Sequence, residues 1–241
     1  MSIGTFGSPI KKVKGETVSL TTTAAHLAVE KAYHEVMLYC SSAWRMALAP
    51  KIKAVFVYTA ATATYSINYE PTVTDRTTSH MPLDAMLVAD ICYIGTTEPT
   101  RGFYIDLHAT NLNANAASLD VEYSSAYDGT TITWTDVSTD SDGTLTGTET
   151  LSTDGLYAFV LPATVECPVN GVTAHWIRFK PSATLSATID VQNIIPAADT
   201  VNYAYMEAGQ SYQFSLNRAE VGAFEFDHTA TGTLDVSWIL H

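Results

Sequence analysis

The sequence predicts an all-β protein made of two β-sandwich (jelly-roll-like) domains with few short helices. Three observations carry that expectation. Short runs such as Phe103-Tyr104-Ile105-Asp106-Leu107 and Leu119-Asp120-Val121-Glu122-Tyr123 alternate apolar and polar residues, and side chains alternate faces along a strand. The runs are filled with Val, Thr and Tyr, whose β-branched and aromatic side chains fit a pleated surface. The chain has 241 residues, 46% apolar and 15% charged, which is long enough to bury one large core or two smaller ones.

Residues 1–15 hold three glycines, a proline and Lys11, Lys12 and Lys14, and read as an extended arm with no core of its own. Val18-Ser19-Leu20 reads as a first strand, and Thr23 to Lys31 permits one helical turn through Leu27 and Ala28. Strands follow at His34–Cys40, Trp44–Ala49, Lys53–Tyr58 and Ala63–Tyr69, with Pro50 ending the second because it cannot donate to a ladder. Glu70 to His80 is a polar connection. Leu83, Met86 and Leu87 share a face at helical spacing, so Pro82 to Val88 predicts a short helix.

The central stretch begins after the strand Ile91–Gly95. It contains the runs at 103–107 and 119–123, a third carrying Trp134, the strand Leu156–Leu161, a tight turn at Asn170-Gly171 and the strand around Trp176. Leu185 to Val191 adds another. Four more follow at 203–206, 212–216, 223–226 and 234–239. Three segments, 56–69, 103–123 and 224–238, each read as strand, turn and strand ending in an aromatic, a hairpin used three times. The first and third match in length better than either matches the second. The ends are therefore expected to pair into one discontinuous sandwich, residues 16–82 with 198–241, with 83–197 inserted as the other.

The formal charge is −13, which repels a phosphate backbone and argues against nucleic acid as a partner. Three cysteines, Cys40, Cys92 and Cys167, are odd in number and far apart, so they suit buried thiols in a reducing compartment better than a disulfide framework. The N-terminus lacks the charged-then-apolar order of a signal peptide, and no apolar run approaches the length of a membrane span.

The sharpest local motif is Ser138-Thr139-Asp140-Ser141-Asp142-Gly143, followed by Glu149. Asp140, Asp142 and Glu149 fall at the ligand spacings of a helix-loop-helix calcium loop. The first position is Ser and the flanks are strands, so an Asp-Gly turn explains the motif better. Seven histidines show no zinc-like spacing. No glycine-framed serine or activated cysteine is present, and two carboxylates in one turn, Asp140 and Asp142, are poorly placed to flank a sugar ring from two sides. The expectation is no enzyme activity and no cofactor. Trp134 and Trp176 lie on strands, where burial competes with a role as a glycan platform.

A resemblance enters with the order Tyr93-Ile94-Gly95, Phe103 to Leu107, Asn111 to Asn115, Val121 to Ser124, Thr133-Trp134, Asp142-Gly143-Thr144, Gly155-Leu156-Tyr157, Leu161-Pro162 and Trp176-Ile177-Arg178. Over about residues 90–195 this pattern resembles a jelly-roll or galactose-binding-like module of tailed-bacteriophage structural proteins. The resemblance implies a virion component assembled in the host bacterial cytoplasm. A compact acidic chain with a basic arm is most similar to capsid decoration or cement proteins, which bind the major capsid protein as homo-oligomers, often trimers. The alternative it implies is a tail or baseplate component that recognises a carbohydrate through Trp134 and Trp176.

Overall fold

The computed structural model describes residues 12–20, 25–29, 35–74, 79–138, 140–199, 203–215, 221–227 and 232–240. In chain order the strands begin with β1 (Lys12–Leu20), β2 (Ala25–Ala28), β3 (Glu35–Cys40) and β4 (Trp44–Pro50). The middle of the chain supplies β5 (Ile52–Thr59), β6 (Thr64–Tyr65), the helix α1 (Glu70–Thr74), β7 (Met81–Pro82), β8 (Ile91–Thr96) and β9 (Gly102–Leu107). It continues through β10 (Leu119–Tyr127), β11 (Ile132–Asp136), β12 (Ser141–Asp142), β13 (Gly155–Ala158), β14 (Glu166–Val169), β15 (Val172–Pro181) and β16 (Asp190–Pro196). The last four are β17 (Ala204–Met206), β18 (Ser211–Ser215), β19 (Val221–Asp227) and β20 (Gly232–Leu240).

These strands form four antiparallel sheets that face one another in two pairs. In the first pair, the order β1-β20-β3-β18 faces β17-β4-β19-β2. Alternation builds its core: Val36, Leu38 and Cys40 point inward from β3, Leu234, Val236 and Trp238 from β20, and Phe224 and Phe226 from β19. Trp44 meets the edge of Phe226 at 5.6 Å between ring centroids, the edge-to-face arrangement that aromatic quadrupoles favour.

The second pair comprises β11-β10-β15-β8-β5-β6, with β14 added on β15, and β12-β13-β9-β16-β7. Its core places Val55, Ile94, Val121 and Phe179 of the larger sheet against Phe103, Ile105, Tyr157 and Ile194 of the smaller. Within this core a cavity of about 30 Å³, lined by residues such as Met86, Leu119 and Phe179, exposes only apolar surface. It is too small for a ligand and offers a water no partner.

Several expectations need correction. The division expected between residues 82 and 83 falls earlier, because β5 pairs with β8 from Ile52↔Thr96 to Tyr58↔Ile91 and so places residues 52–65 in the second pair of sheets. Lys12 to Gly15, expected in the arm, belong to β1 and pair with Leu240 to Ser237; residues 1–11 lie outside the described residues. Leu27 and Ala28 sit in a strand, β2, paired with Phe224 and Ala223. There β-sheet partners from far along the chain override a weak local helical pattern.

Residues 82–88 form no helix. Met81 and Pro82 pair with Val191 and Asp190, and the segment then turns, with Leu87 N–H donating to Asp90. The one helix among the described residues, α1, falls in the stretch read as a polar connection. Asn68 Oδ1 caps it by accepting the Glu70 N–H at 3.0 Å, Pro71 sits in its first turn, and fully buried Val73 anchors it. Residues 185–189 precede the strand expected at 185–191, which begins at Asp190.

Of the three hairpins, only β5–β6 pairs directly. β9 and β10 lie in opposite sheets, as do β19 and β20. Alternation reports which face is buried, and it reads the same for a hairpin and for a chain that crosses a sandwich. The Asn170-Gly171 turn does join β14 to β15, with φ of 47° and 81°, the left-handed pair that a two-residue hairpin needs.

Candidate functional site

The residues singled out for chemistry lie on the second sandwich, the two tryptophans on the outer face of its seven-stranded sheet and the carboxylates at the β12 turn of the other. Pairing register sets the rows. Glu122 lies opposite Arg178, Arg178 opposite Tyr93, and Tyr93 opposite Phe56. In the next row Trp134 lies opposite Ser124, and Trp176 opposite Gly95. All these side chains share a face because strand periodicity is two.

Trp176 is fully buried. Its ring stacks on Phe56 at 6.0 Å, and its Nε1–H donates to the Cys167 carbonyl at 2.8 Å. Gly95 makes room for it, since a Cβ there would stand 2.8 Å from the indole. Trp176 therefore offers no face to a sugar, and its part in a glycan platform is corrected to packing. Trp134 is half-buried. The Arg178 guanidinium lies 4.3 Å from its ring centroid, a cation–π contact, and Tyr93 lies 5.6 Å away. Tyr65, 38% exposed, flanks Tyr58 at 5.0 Å and Tyr93 at 5.9 Å.

The polar row beside these rings is closed on itself. Arg178 donates to both oxygens of Glu122, at 2.8 and 3.0 Å, the planar fork that suits guanidinium to carboxylate. Lys180 adds a contact at 2.6 Å. Burial raises the Glu122 carboxyl, but the hydrogen bonds and charges of Arg178 and Lys180 outweigh it and hold the group below its ordinary value. Tyr93 moves the other way: burial raises its hydroxyl against the opposing pull of Arg178.

The acidic turn is equally occupied. Asp142 Oδ1 accepts the Thr144 N–H at 2.8 Å and its hydroxyl at 2.6 Å, and Oδ2 accepts the Thr150 hydroxyl at 2.6 Å. Both threonines are fully buried. Asp140 accepts from the Tyr157 hydroxyl at 2.6 Å, while Glu149 accepts from the Thr148 N–H at 3.2 Å. The three carboxylates named as calcium ligands thus serve three separate groups. Among the described residues no three His, Cys, Asp or Glu side chains converge to hold a metal ion.

His80 and His108, far apart in sequence, come together with ring centroids 4.6 Å apart. His80 immediately precedes β7 and His108 immediately follows β9, the two strands on either side of β16, a juxtaposition that no short spacing could reveal. His175 pairs with the Thr164 hydroxyl at 2.9 Å. His34, His228 and His241 lie outside the described residues. The three cysteines are all free and buried, and burial pushes Cys92 up to about 12, far from a reactive thiolate.

Sequence reasoning missed Arg178, Glu122 and Tyr93 as neighbours of the tryptophans. A signal existed. Arg178 stands two residues from Trp176 and so shares its face of the strand, and Glu122 occupies a polar position of an alternating strand. No family model matches the chain, and no curated protein matches it.

Proposed function

We propose that this protein is a non-enzymatic structural component of a tailed-bacteriophage virion, a capsid decoration protein that binds the major capsid protein and stabilises the head lattice as a homo-oligomer. The observation that supports this reading is the internal use, among the described residues, of the charged groups and the central tryptophan that chemistry could have drawn on. Asp140, Asp142, Glu122, Arg178 and Trp176 are each engaged by another part of the fold. Such engagement rigidifies a body and leaves its outer surfaces for contact.

The test is to add the purified protein to heads lacking it. A cement protein binds at a copy number that scales with the lattice and raises the temperature at which heads rupture. Binding at a handful of sites, or with no gain in heat resistance, sinks the proposal.

A second reading has its own support in the outward rings of Tyr58, Tyr65 and Trp134. On that reading the protein is a tail or baseplate component, and this sheet face stacks against a host carbohydrate. A glycan array probed with the full chain and with Trp134→Ala and Tyr65→Ala variants decides it. Retention of a glycan signal by both variants removes the aromatic face from consideration.

A further inference from the structure

The two sandwiches meet along a seam whose first-sandwich side presents very small side chains. On the outer face of the β4–β19 sheet, Ala47 lies opposite Glu225 and Ala49 opposite Ala223. Across the seam they meet Ile195 and Tyr104, which are themselves paired on the outer face of the β9–β16 sheet. Alanines allow close approach but bury little apolar area. Interfaces of that kind leave two domains free to move unless something else holds them.

Glu225 is the exception in this apolar seam. Its side chain is fully buried. Arg101, just before β9, forms an ion pair with its Oε1 through Nη2. The Ala198 N–H, just after β16, donates to Oε2 at 2.8 Å, and the Tyr203 hydroxyl donates to Oε1. Arg101 Nε also donates to the Ala198 carbonyl. Thr100 donates its hydroxyl to the Ala197 carbonyl at 2.7 Å, so the segment receiving Glu225 is itself fastened to the second sandwich. The carboxylate belongs to the first sandwich, while Arg101 and Ala198 extend from strands of the second.

We propose that Glu225 is a latch: its buried carboxylate, held by Arg101, the Ala198 amide and Tyr203, fixes the angle between the two sandwiches, which become mutually mobile when its ion pair with Arg101 is broken. Among the described residues, the chain passes from the first sandwich to the second between β4 and β5, and β16 of the second is followed by β17 of the first. Removing one member of a buried pair leaves the other charged and unsatisfied, which adds a driving force for opening to the loss of the tie. The inference is independent of the virion reading.

Distance measurement between spin labels on the full chain tests it. Thr135→Cys on β11 and Ser211→Cys on β18 occupy exposed positions, one on each sandwich, and the three native cysteines are buried. The parent gives one narrow distance. Glu225→Gln and, independently, Arg101→Gln are expected to lose that narrow distance for a broad distribution. Arg101→Gln probes the latch without altering a strand of the first sandwich, so a folding defect of Glu225→Gln leaves the test intact. A distance as narrow as the parent's in Arg101→Gln overturns the proposal, whatever happens to the melting temperature.

Discussion

The first sandwich is closed by strands from opposite ends of the chain, whereas the second is made from the continuous stretch between Ile52 and Pro196. In the first, Trp238 donates its indole N–H to Glu16 at 2.6 Å, a contact spanning 222 positions. In the second, Trp176 donates to the Cys167 carbonyl only nine positions away. Both tryptophans are fully buried, so the difference is one of connectivity. Contacts between remote positions must overcome loop-closure entropy before they stabilise anything. The second sandwich is therefore expected to be the autonomous unit, and the first to close upon it.

The largest expected effect breaks that comparison outright. β20 lies between β1 and β3 and pairs with both, so deleting residues 232–241 should abolish the first sandwich. The second should still melt cooperatively, and residues 51–199 expressed alone should do the same. Calorimetry and near-ultraviolet dichroism give the answer. A fragment 51–199 without a cooperative transition would remove the asymmetry.

Single substitutions sharpen it. Trp238→Ala and Trp176→Ala should each cost about 3–5 kcal/mol, the range for large aromatic deletions in cores. The loss should fall on different transitions, the first sandwich for Trp238 and the second for Trp176. Denaturant titration followed by the remaining tryptophans separates them.

Asp142→Ala should cost less, about 1–3 kcal/mol, because it leaves the buried Thr144 and Thr150 hydroxyls without their acceptor. It acts on the second sandwich alone. If the turn is structural, millimolar calcium leaves the melting temperature of the parent unchanged. A rise with calcium that vanishes in Asp142→Ala would restore the ion-binding interpretation.

How much of this was legible follows from what alternation can encode. The inward positions of β3, β9, β10 and β20 were readable, because period-two burial is a local property. The Asn170-Gly171 turn was readable for the same reason, since two residues determine its dihedrals. Sheet partnership was not. Phe103–Tyr123 and Phe224–Trp238 look like hairpins, and each instead crosses its sandwich. α1 was hidden because Glu70-Pro71-Thr72-Val73-Thr74 has weak helical propensity and depends on the Asn68 cap. The carboxylates of the acidic turn read as turn residues from Asp and Gly spacing, but the partners that Asp140 and Asp142 serve, Tyr157, Thr144 and Thr150, were not readable. Trp176 could not be separated from Trp134 in the same way: a tryptophan at the sheet centre over Gly95 and one near its margin on β11 have the same local pattern.

Acid titration is a gentler probe of the outer face. Glu122 is held below its ordinary value in the folded protein, so its pairing stabilises fully above the unfolded value, near pH 4.3. That contribution is lost as pH falls through the folded value. Glu122→Gln should lower stability at neutral pH and flatten the acid limb. An acid limb unchanged in Glu122→Gln would assign the loss to other carboxylates.

The smallest effect is expected at Lys53–Glu166, where the ammonium and carboxylate meet at 3.1 Å with side chains 34% and 48% exposed. Water and salt screen such a pair, and ordering two long side chains opposes it, so Lys53→Ala should change stability by less than about 1 kcal/mol. Its distance is close to those of the Arg178–Glu122 fork, which makes it a control on burial rather than geometry. Arg178→Ala should cost more than Lys53→Ala by leaving Glu122, 11% exposed, without its fork. Equal costs for the two variants, measured in the same buffer, would mean that the outer aromatic face is as wet as the exposed Lys53–Glu166 pair, and that its rings contribute no low-dielectric shelter to the Arg178–Glu122 pair.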